Sequence, residues 1–279
     1  MSGFLDDMAS SSHARVLQAL RRESFKALER RAQASAPAPR LLLSAQRFDV
    51  IAELKLTSPA LGPLASQHED WRQRVTSYAR GGAAAVSVLT EPSRFDGSLE
   101  HLREAASLLA PLGVPAMRKD FLVDPYQVLE ARAAGAGGIL VILRMLTRER
   151  MPPLLDAAAS LGMFVLLEAF DESDLWRARE VLAARSLGRD SPKDHILIGI
   201  NSRDLQTLKV VPERFAELAP SLPEDLPTVA ESGVATAADA LRMKHLGYRL
   251  ALVGTALMTH DDPAVLLREI LAATRTVQT

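Results

Sequence analysis

Short apolar runs recur along the chain: Val50–Leu54, Ala83–Leu89, Val114–Met117, Gly138–Leu143, Met163–Leu167, Ile196–Ile200, Thr228–Ala230 and Leu250–Val253. They are near-continuously apolar rather than alternating. That is the mark of a strand buried on both faces, so the sheet they form should be parallel. Between them lie stretches with helix-start signals. Ser98 precedes Leu99–Ala110, and Asp124-Pro125 places an N-cap before a proline in the first turn. Asp171 and Asp174 bracket the start of a helix carrying Leu175 and Trp176, and Thr236 with Asp239 reads as a capping box. Pro152-Pro153 fits only a helix whose first turn begins late. Gly113, Gly135, Gly162 and Gly247 stand where such helices should end.

Eight strand–helix units predict an α/β fold, a (β/α)8 TIM barrel. A doubly wound open sheet competes, but it usually carries a glycine-rich turn after its first strand. Glu53–Thr57 has no glycine. Residues 1–49 stand outside the cycle and predict a helical extension packed on the barrel of residues 50–279, one domain overall. Ser11–Arg31 reads as one helix and Ala34–Pro39 as a linker. Arg15, Arg21, Arg22, Lys26, Arg30 and Arg31 on that helix read best as a solvated face, with a substrate-steering role as the alternative.

Composition narrows the class. A length of 279 residues would suit two average domains, yet barrels reach about 250 residues as one. The net charge of -1 gives no bulk attraction to nucleic acid or an acidic membrane surface. With no cysteine there is no disulfide, thiolate metal site or thiol nucleophile. The longest apolar runs, Ala133–Leu143 and Ala157–Leu167, are closed by Arg144 and Glu168 and fall short of the roughly 18 residues of a membrane span. Asp6 and Asp7 sit where a signal peptide would be basic and then apolar. The expectation is a cytoplasmic protein.

Barrel enzymes build their sites from the C-terminal ends of the strands. Here those ends read Glu53-Leu54-Lys55, Leu89-Thr90-Glu91, Arg118-Lys119-Asp120, Leu167-Glu168, Asn201-Ser202-Arg203, Glu231-Ser232-Gly233 and Gly254-Thr255, with Arg144 near the fourth. The ring holds Lys, Glu, Arg, Asn and Ser but no His. Glu53 and Lys55, two apart on a strand, share a face and should pair. Any single charge could be a barrel-plugging salt bridge; so many together have no packing rationale. Ser232-Gly233 and Gly254-Thr255 follow strands seven and eight, where barrels frequently bind phosphate through backbone N–H groups. Lys119, beside Arg118 and near Lys55, is expected to have a lowered pKa, suited to proton donation or a Schiff base. Glu53, Glu168 and Glu231 are the candidate bases.

These segments, together with Ser58-Pro59, Phe95-Asp96-Gly97-Ser98, Phe121, Asp124-Pro125-Tyr126-Gln127, Ile198-Gly199-Ile200 and Val253-Gly254-Thr255-Ala256-Leu257-Met258, are similar in order and spacing to the indole-3-glycerol phosphate synthase family. The resemblance runs from about Val50 to Met258. It implies closure of a pyrrole ring on 1-(2-carboxyphenylamino)-1-deoxyribulose 5-phosphate with loss of CO2 and water, and no cofactor or metal. It implies Lys119 as the acid of ring closure and Glu168 as the residue that steers protons. Glu53 and Lys55 become a pair for binding and dehydration, Asn201 a hydrogen-bond donor to the reacting region, and Glu231 with Ser232 a support for substrate hydroxyls. Gly233, Gly254 and Thr255 would hold the phosphate, with Ser58, Phe121 and Arg203 as further binding residues. A monomer is the expected state.

The chain departs from the family pattern in three places. Leu56-Thr57-Ser58-Pro59-Ala60 is less cationic than usual, Thr255 stands where Ser or Glu is common, and Ala169-Phe170 follows the strand-five glutamate. Two other readings compete. A phosphoribosylanthranilate isomerase is disfavoured because that family looks to a cysteine near its first strand. A drifted paralogue, acting on a related substrate or serving only to bind one, is motivated by the altered loop.

Overall fold

In the computed structural model eight parallel strands close on themselves in the order β1-β8-β7-β6-β5-β4-β3-β2. They are β1 Asp49–Leu54, β2 Ala85–Leu89, β3 Ala116–Lys119, β4 Gly138–Ile142, β5 Phe164–Ala169, β6 Ile196–Asn201, β7 Thr228–Glu231 and β8 Leu250–Val253. The structure describes residues 3–44, 47–59, 61–64, 70–186, 196–205 and 207–275. Closure is made by β1, which aligns Ile51 with Leu252 of β8 and with Ala85 of β2. The (β/α)8 expectation holds, and the open sheet is excluded.

Alternate residues of each strand point to opposite faces. Ile51, Ala85, Met117, Leu140, Leu166, Leu197, Val229 and Leu250 are buried together inside the barrel. The other parity, including Val50, Val86, Ile139, Val165, Ile198 and Ala251, packs outward against the helices. Both sets are apolar, which explains the unbroken hydrophobic runs. Counting two residues onward from the inner layer gives Glu53, Ser87, Lys119, Ile142, Glu168, Gly199, Glu231 and Leu252, five of them polar. The polar ring is thus the inward layer at the strands' C-terminal ends.

Helix signals held where they were local. Ser98 accepts from His101 N, Asp124 from Tyr126 N, and Thr236 and Asp239 cap each other reciprocally. The Pro152-Pro153 helix starts at Met151 with both prolines in its first turn, where no N–H is missed. The loop after β1 folds into a small hairpin pairing Thr57–Ser58 with Gly62–Pro63, whereas Ala60 lies outside the described residues.

The N-terminal region departs from expectation. There is no single helix over Ser11–Arg31 but two, α1 Phe4–Arg22 and α2 Phe25–Ala34. Glu23 turns extended and Ser24 then caps α2 by accepting from Ala27 N. Along α1 the residues Phe4, Met8, Ser12 and Val16 repeat at the helical spacing and face the barrel. Met8 joins the barrel-interior cluster, while Val16 packs with Leu28, Ala32, Tyr126 and Leu129. Among the described residues no helix is long and apolar enough to cross a membrane.

Candidate active site

The inward polar layer opens into a cavity of about 710 Å³ at the C-terminal end of the barrel. All thirteen residues singled out from the sequence line it: Glu53, Lys55, Ser58, Lys119, Phe121, Glu168, Asn201, Arg203, Glu231, Ser232, Gly233, Gly254 and Thr255. Glu53 and Lys55 pair at 2.9 Å, and Lys119 Nζ lies 3.9 Å from the other oxygen of Glu53. Asn201 is fixed at both ends of its amide. Its Nδ2 donates to Glu168 Oε1, and its Oδ1 accepts from Arg203 N at 2.9 Å.

Burial and mutual charge set the ionisation of this cluster. Lys119 is the first correction. Burial alone would lower its pKa, but the carboxylates of Glu168, Glu53 and Glu231 outweigh burial and raise it above the ordinary lysine range, against Arg203. The sequence suggested a depressed value because only Arg118 and Lys55 were visible nearby. The pleat sends Arg118 to the outer face instead, where it bonds Thr90, Gln127 O and Glu130. Glu53 is pushed up by burial but held below its usual value by Lys55 and Lys119. Glu231 is driven the other way, well above the carboxylate range, by burial and by Glu168, with Lys119 opposing. Neither Glu231 oxygen nor Glu168 Oε2 has a hydrogen-bond partner. Buried carboxylate oxygens without donors are costly, so these three atoms point to groups that a substrate would satisfy.

Two glycines shape the carboxylates. A Cβ on Gly199 would overlap Glu231 Oε1 and stand 3.0 Å from Leu166 Cδ1. A Cβ on Gly254 would overlap Glu53 Oε1 and stand 3.2 Å from Lys55 Nζ. Gly254 was read from sequence as room for an anion; its side-chain volume is already taken by the Glu53–Lys55 pair. Gly233 has φ 91°, and Ser232 before it also takes a positive φ of 65°. The strained turn is held by Ser202, whose Oγ donates to Ser232 O at 2.6 Å. Gly254 leads into the short helix Thr255–Thr259, whose first N–H groups have no intrahelical acceptor.

One side of the cavity is apolar. Phe4 meets Phe121 edge-on at 5.8 Å between centroids, Phe95 lies 6.2 Å from Phe121, and Phe170 lines the same wall. Arg144, expected near the mouth, stacks on the far side of this wall over the Phe170 ring at 4.3 Å and bonds Asp171 and Asp174. The sequence reading missed Phe4, Leu5 and Phe95 as lining residues, and it missed Arg15. Far from being solvated, Arg15 forms a two-pronged bond to Asp120 at 2.7 and 2.9 Å. The repeat Phe4, Met8, Ser12, Val16 was the available signal. Among the described residues no cluster of acidic and histidine side chains is arranged to hold a metal.

The chain is similar to a known family over nearly its whole length. The family model for indole-3-glycerol phosphate synthase matches residues 5–270. A relative from Parafrankia sp. bearing that name is 39% identical over 272 residues, covering 96% of this chain and 95% of its own. Another, from Leifsonia xyli subsp. xyli, is 40% identical over 267 residues, covering 95% and 94%. Among solved structures, 3-hexulose-6-phosphate synthase from Salmonella typhimurium superposes with a TM-score of 0.60 at 12% identity, covering 81% of this chain and 98% of that one. That likeness concerns the barrel alone.

Proposed function

This chain belongs to the indole-3-glycerol phosphate synthase family, and we propose that its cavity performs the family's ring closure with the roles set out below. The substrate, 1-(2-carboxyphenylamino)-1-deoxyribulose 5-phosphate, has an aryl ring, a ketone, hydroxyls and a phosphate. The cavity offers an apolar wall, a charged floor and two glycine-containing turns, in matching variety. One observation carries the reading: a buried lysine ammonium faces three glutamates from three other strands within one cavity.

Ring closure joins the aryl carbon bearing the carboxylate to the ketone carbon. The ketone oxygen then needs a proton as it becomes a hydroxyl. Lys119 supplies it. Its raised pKa keeps it protonated and ready to donate, and the developing alkoxide, a stronger base than an amine, can still take the proton. The carbon–carboxylate bond breaks next, and its electrons return to the cationic nitrogen as CO2 leaves. Glu168 stabilises that positive charge, with Asn201 holding it in place. In the last step the hydroxyl leaves as water and a sugar carbon gives up a proton. The Glu53–Lys55 pair serves this acid–base exchange, and the protonated Glu231 with Ser232 supports the hydroxyls. Overall one more proton is taken up than released, since the carboxylate's charge disappears with CO2. A site in which the pKa values of Lys119 and Glu231 are both raised suits that balance.

The phosphate is placed at the turns of Gly233 and Gly254-Thr255, on N–H groups at a strand end and a helix start. Arg203, Ser58 and Phe121 complete the binding of the aryl half. A cytoplasmic monomer fits the scheme, since one chain supplies every group it needs; size-exclusion with light scattering measures the state. The decisive experiment is Lys119→Ala assayed by the fluorescence of the indole product. Ring closure should be lost while substrate still binds, and near-normal turnover would remove the assignment. Binding without turnover by the parent protein would favour a drifted paralogue.

A further inference from the structure

The N-terminal helix is tied by polar bonds to the strand end that carries Lys119. Arg15 of α1 donates two hydrogen bonds to the carboxylate of Asp120, the residue directly after Lys119. Three residues earlier on the same face, Ser12 Oγ accepts from Gln127 Nε2 at 2.8 Å, and Gln127 Oε1 in turn accepts from Val123 N at 2.9 Å. Asp120 is fully buried and also accepts from Thr90 Oγ1 at 2.7 Å, Arg118 Nη2 at 3.1 Å and Phe121 N at 2.8 Å. By the two-residue period of a strand, Lys119 and Phe121 belong to one parity and Arg118 and Asp120 to the other. Lys119, Asp120 and Phe121 all border the substrate cavity, and between the two neighbours the Asp120 carboxylate is gripped by Arg15, Thr90 and Arg118.

We propose that Arg15 is a positioning residue: its fork on Asp120 fixes the end of β3 so that Lys119 stays aimed into the cavity, which makes docking of α1 a condition for ring closure. The inference rests on Lys119 being the acid of that step. Its force comes from geometry. A lysine side chain is long and has many rotamers, so its aim is set by the backbone it springs from. β3 ends at Lys119, and past that point Asp120 has no ladder partner to hold it. Four donors hold it instead, and Arg15 is the one that comes from outside the barrel. A planar guanidinium that engages both carboxylate oxygens fixes orientation as well as distance, which a lysine ammonium cannot do. Arg118 and Thr90 remain when Arg15 is removed, so Asp120 keeps partners and the barrel should still fold. What it loses is one of the restraints on its rotation.

The test compares Arg15→Ala, Arg15→Lys and Lys119→Ala in steady-state kinetics, with melting curves for each. Arg15→Ala should lower kcat by roughly tenfold or more, in line with the sensitivity of catalysis to misplacement on the ångström scale, with KM within about twofold. Arg15→Lys should fall between parent and alanine variant. Added methylguanidinium at non-denaturing concentration should restore part of the kcat of Arg15→Ala and none of that of Arg15→Lys. A merely structural role would lower activity only in step with the folded fraction and would not respond to methylguanidinium. If Arg15→Ala is unfolded at the assay temperature, Arg15→Lys carries the comparison. A folded Arg15 variant with parental kcat overturns the positioning role while leaving Lys119 in place; an active Lys119→Ala overturns the reading beneath it.

Discussion

Replacing Gly199 by alanine adds one methyl group to the barrel interior and should remove most of the activity. A Cβ at this position overlaps Glu231 Oε1, and it stands 3.1 Å from Glu231 Cδ and 3.0 Å from Leu166 Cδ1. Normal carbon–oxygen contact begins near 3.3 Å, so the carboxyl must swing away by a distance on the order of 1 Å, a misplacement that costs about 10²-fold in rate where a group is catalytic. Overpacking a filled interior costs about 1–3 kcal/mol, so a lower melting temperature should accompany the loss. The two effects have one cause and can be separated by a double-mutant cycle with Glu231→Ala. In that background the methyl has somewhere to go, and Gly199→Ala should then cost little stability and no further activity. Turnover would be followed by product fluorescence and stability by thermal unfolding. Parental activity in Gly199→Ala, or the same destabilisation with and without the Glu231 side chain, would show that the glycine has nothing to do with the carboxylate.

Three further outcomes follow from the charges. Glu231→Gln should abolish or sharply reduce turnover yet raise the melting temperature at neutral pH. The folded pKa of Glu231 lies above its unfolded value, so its favourable contribution is complete below about pH 4.3 and is lost as pH rises towards the folded pKa. The gain on substitution should accordingly vanish in acid, and a gain of equal size at pH 3 would contradict the raised pKa. Asp120→Asn has the opposite sign. Burial pushes that carboxyl up, but bonds from Arg15 and Thr90 and the charge of Arg118 hold it below the usual range. The parent's advantage should therefore be full above about pH 4 and fade as pH falls below it, and an advantage that persists unchanged to pH 2 would refute it. Lys119→Ala should remove one of the three cations, with Lys55 and Arg203, that hold Glu53 down, so that the Glu53 titration moves upward in the pH dependence of substrate binding, and an unchanged pH dependence would refute it.

The fold was legible because both faces of every barrel strand are covered. Val50, Ile51 and Ala52 are all buried, so no polar residue interrupts that run until Glu53, at the mouth of the barrel. The first polar residue after a run is then a site candidate, as Glu168 and Asn201 are, although after Val114–Met117 it is the outward Arg118 that comes first and Lys119 second. Local signals resolved caps such as Ser98 and Thr236 for the same reason: the donor and acceptor are three residues apart. What failed was non-local. The ionisation of Lys119 depends on glutamates from β1, β5 and β7, distant in sequence and brought together only by closure of the barrel. The break at Glu23-Ser24 and the reach of Arg15 to Asp120 depend on where α1 docks. Nor could the sequence say that the space left by the missing side chain of Gly254 is filled by the Glu53–Lys55 pair, because glycine reports an absent side chain without saying what fills its place.

The glutamates of this cavity would be a hindrance to an anionic substrate if all three were charged. Lys55, Lys119 and Arg203 would then merely balance Glu53, Glu168 and Glu231. The burial of Glu231 against Glu168 works against this, because it raises the affinity of that carboxyl for a proton, and a proton held there shifts the balance of the cavity towards the cationic without another basic side chain. Asp120 does not reverse the sign, since Arg15 and Arg118 are bonded to it. A substrate carrying both a carboxylate and a phosphate is drawn to such a site more strongly than a product from which the carboxylate has gone as CO2. The cavity thus discriminates in the direction turnover needs, admitting the more anionic species and releasing the less anionic one. Lysines added to the loop after β1 would strengthen both interactions, whereas a proton held on Glu231 changes the charge inside the cavity itself. On this argument Glu231→Gln should keep substrate affinity, because a neutral amide leaves the same net charge. Binding titrations on the inactive variant measure this directly, and a large loss of affinity would mean that Glu231 binds the substrate in its charged form.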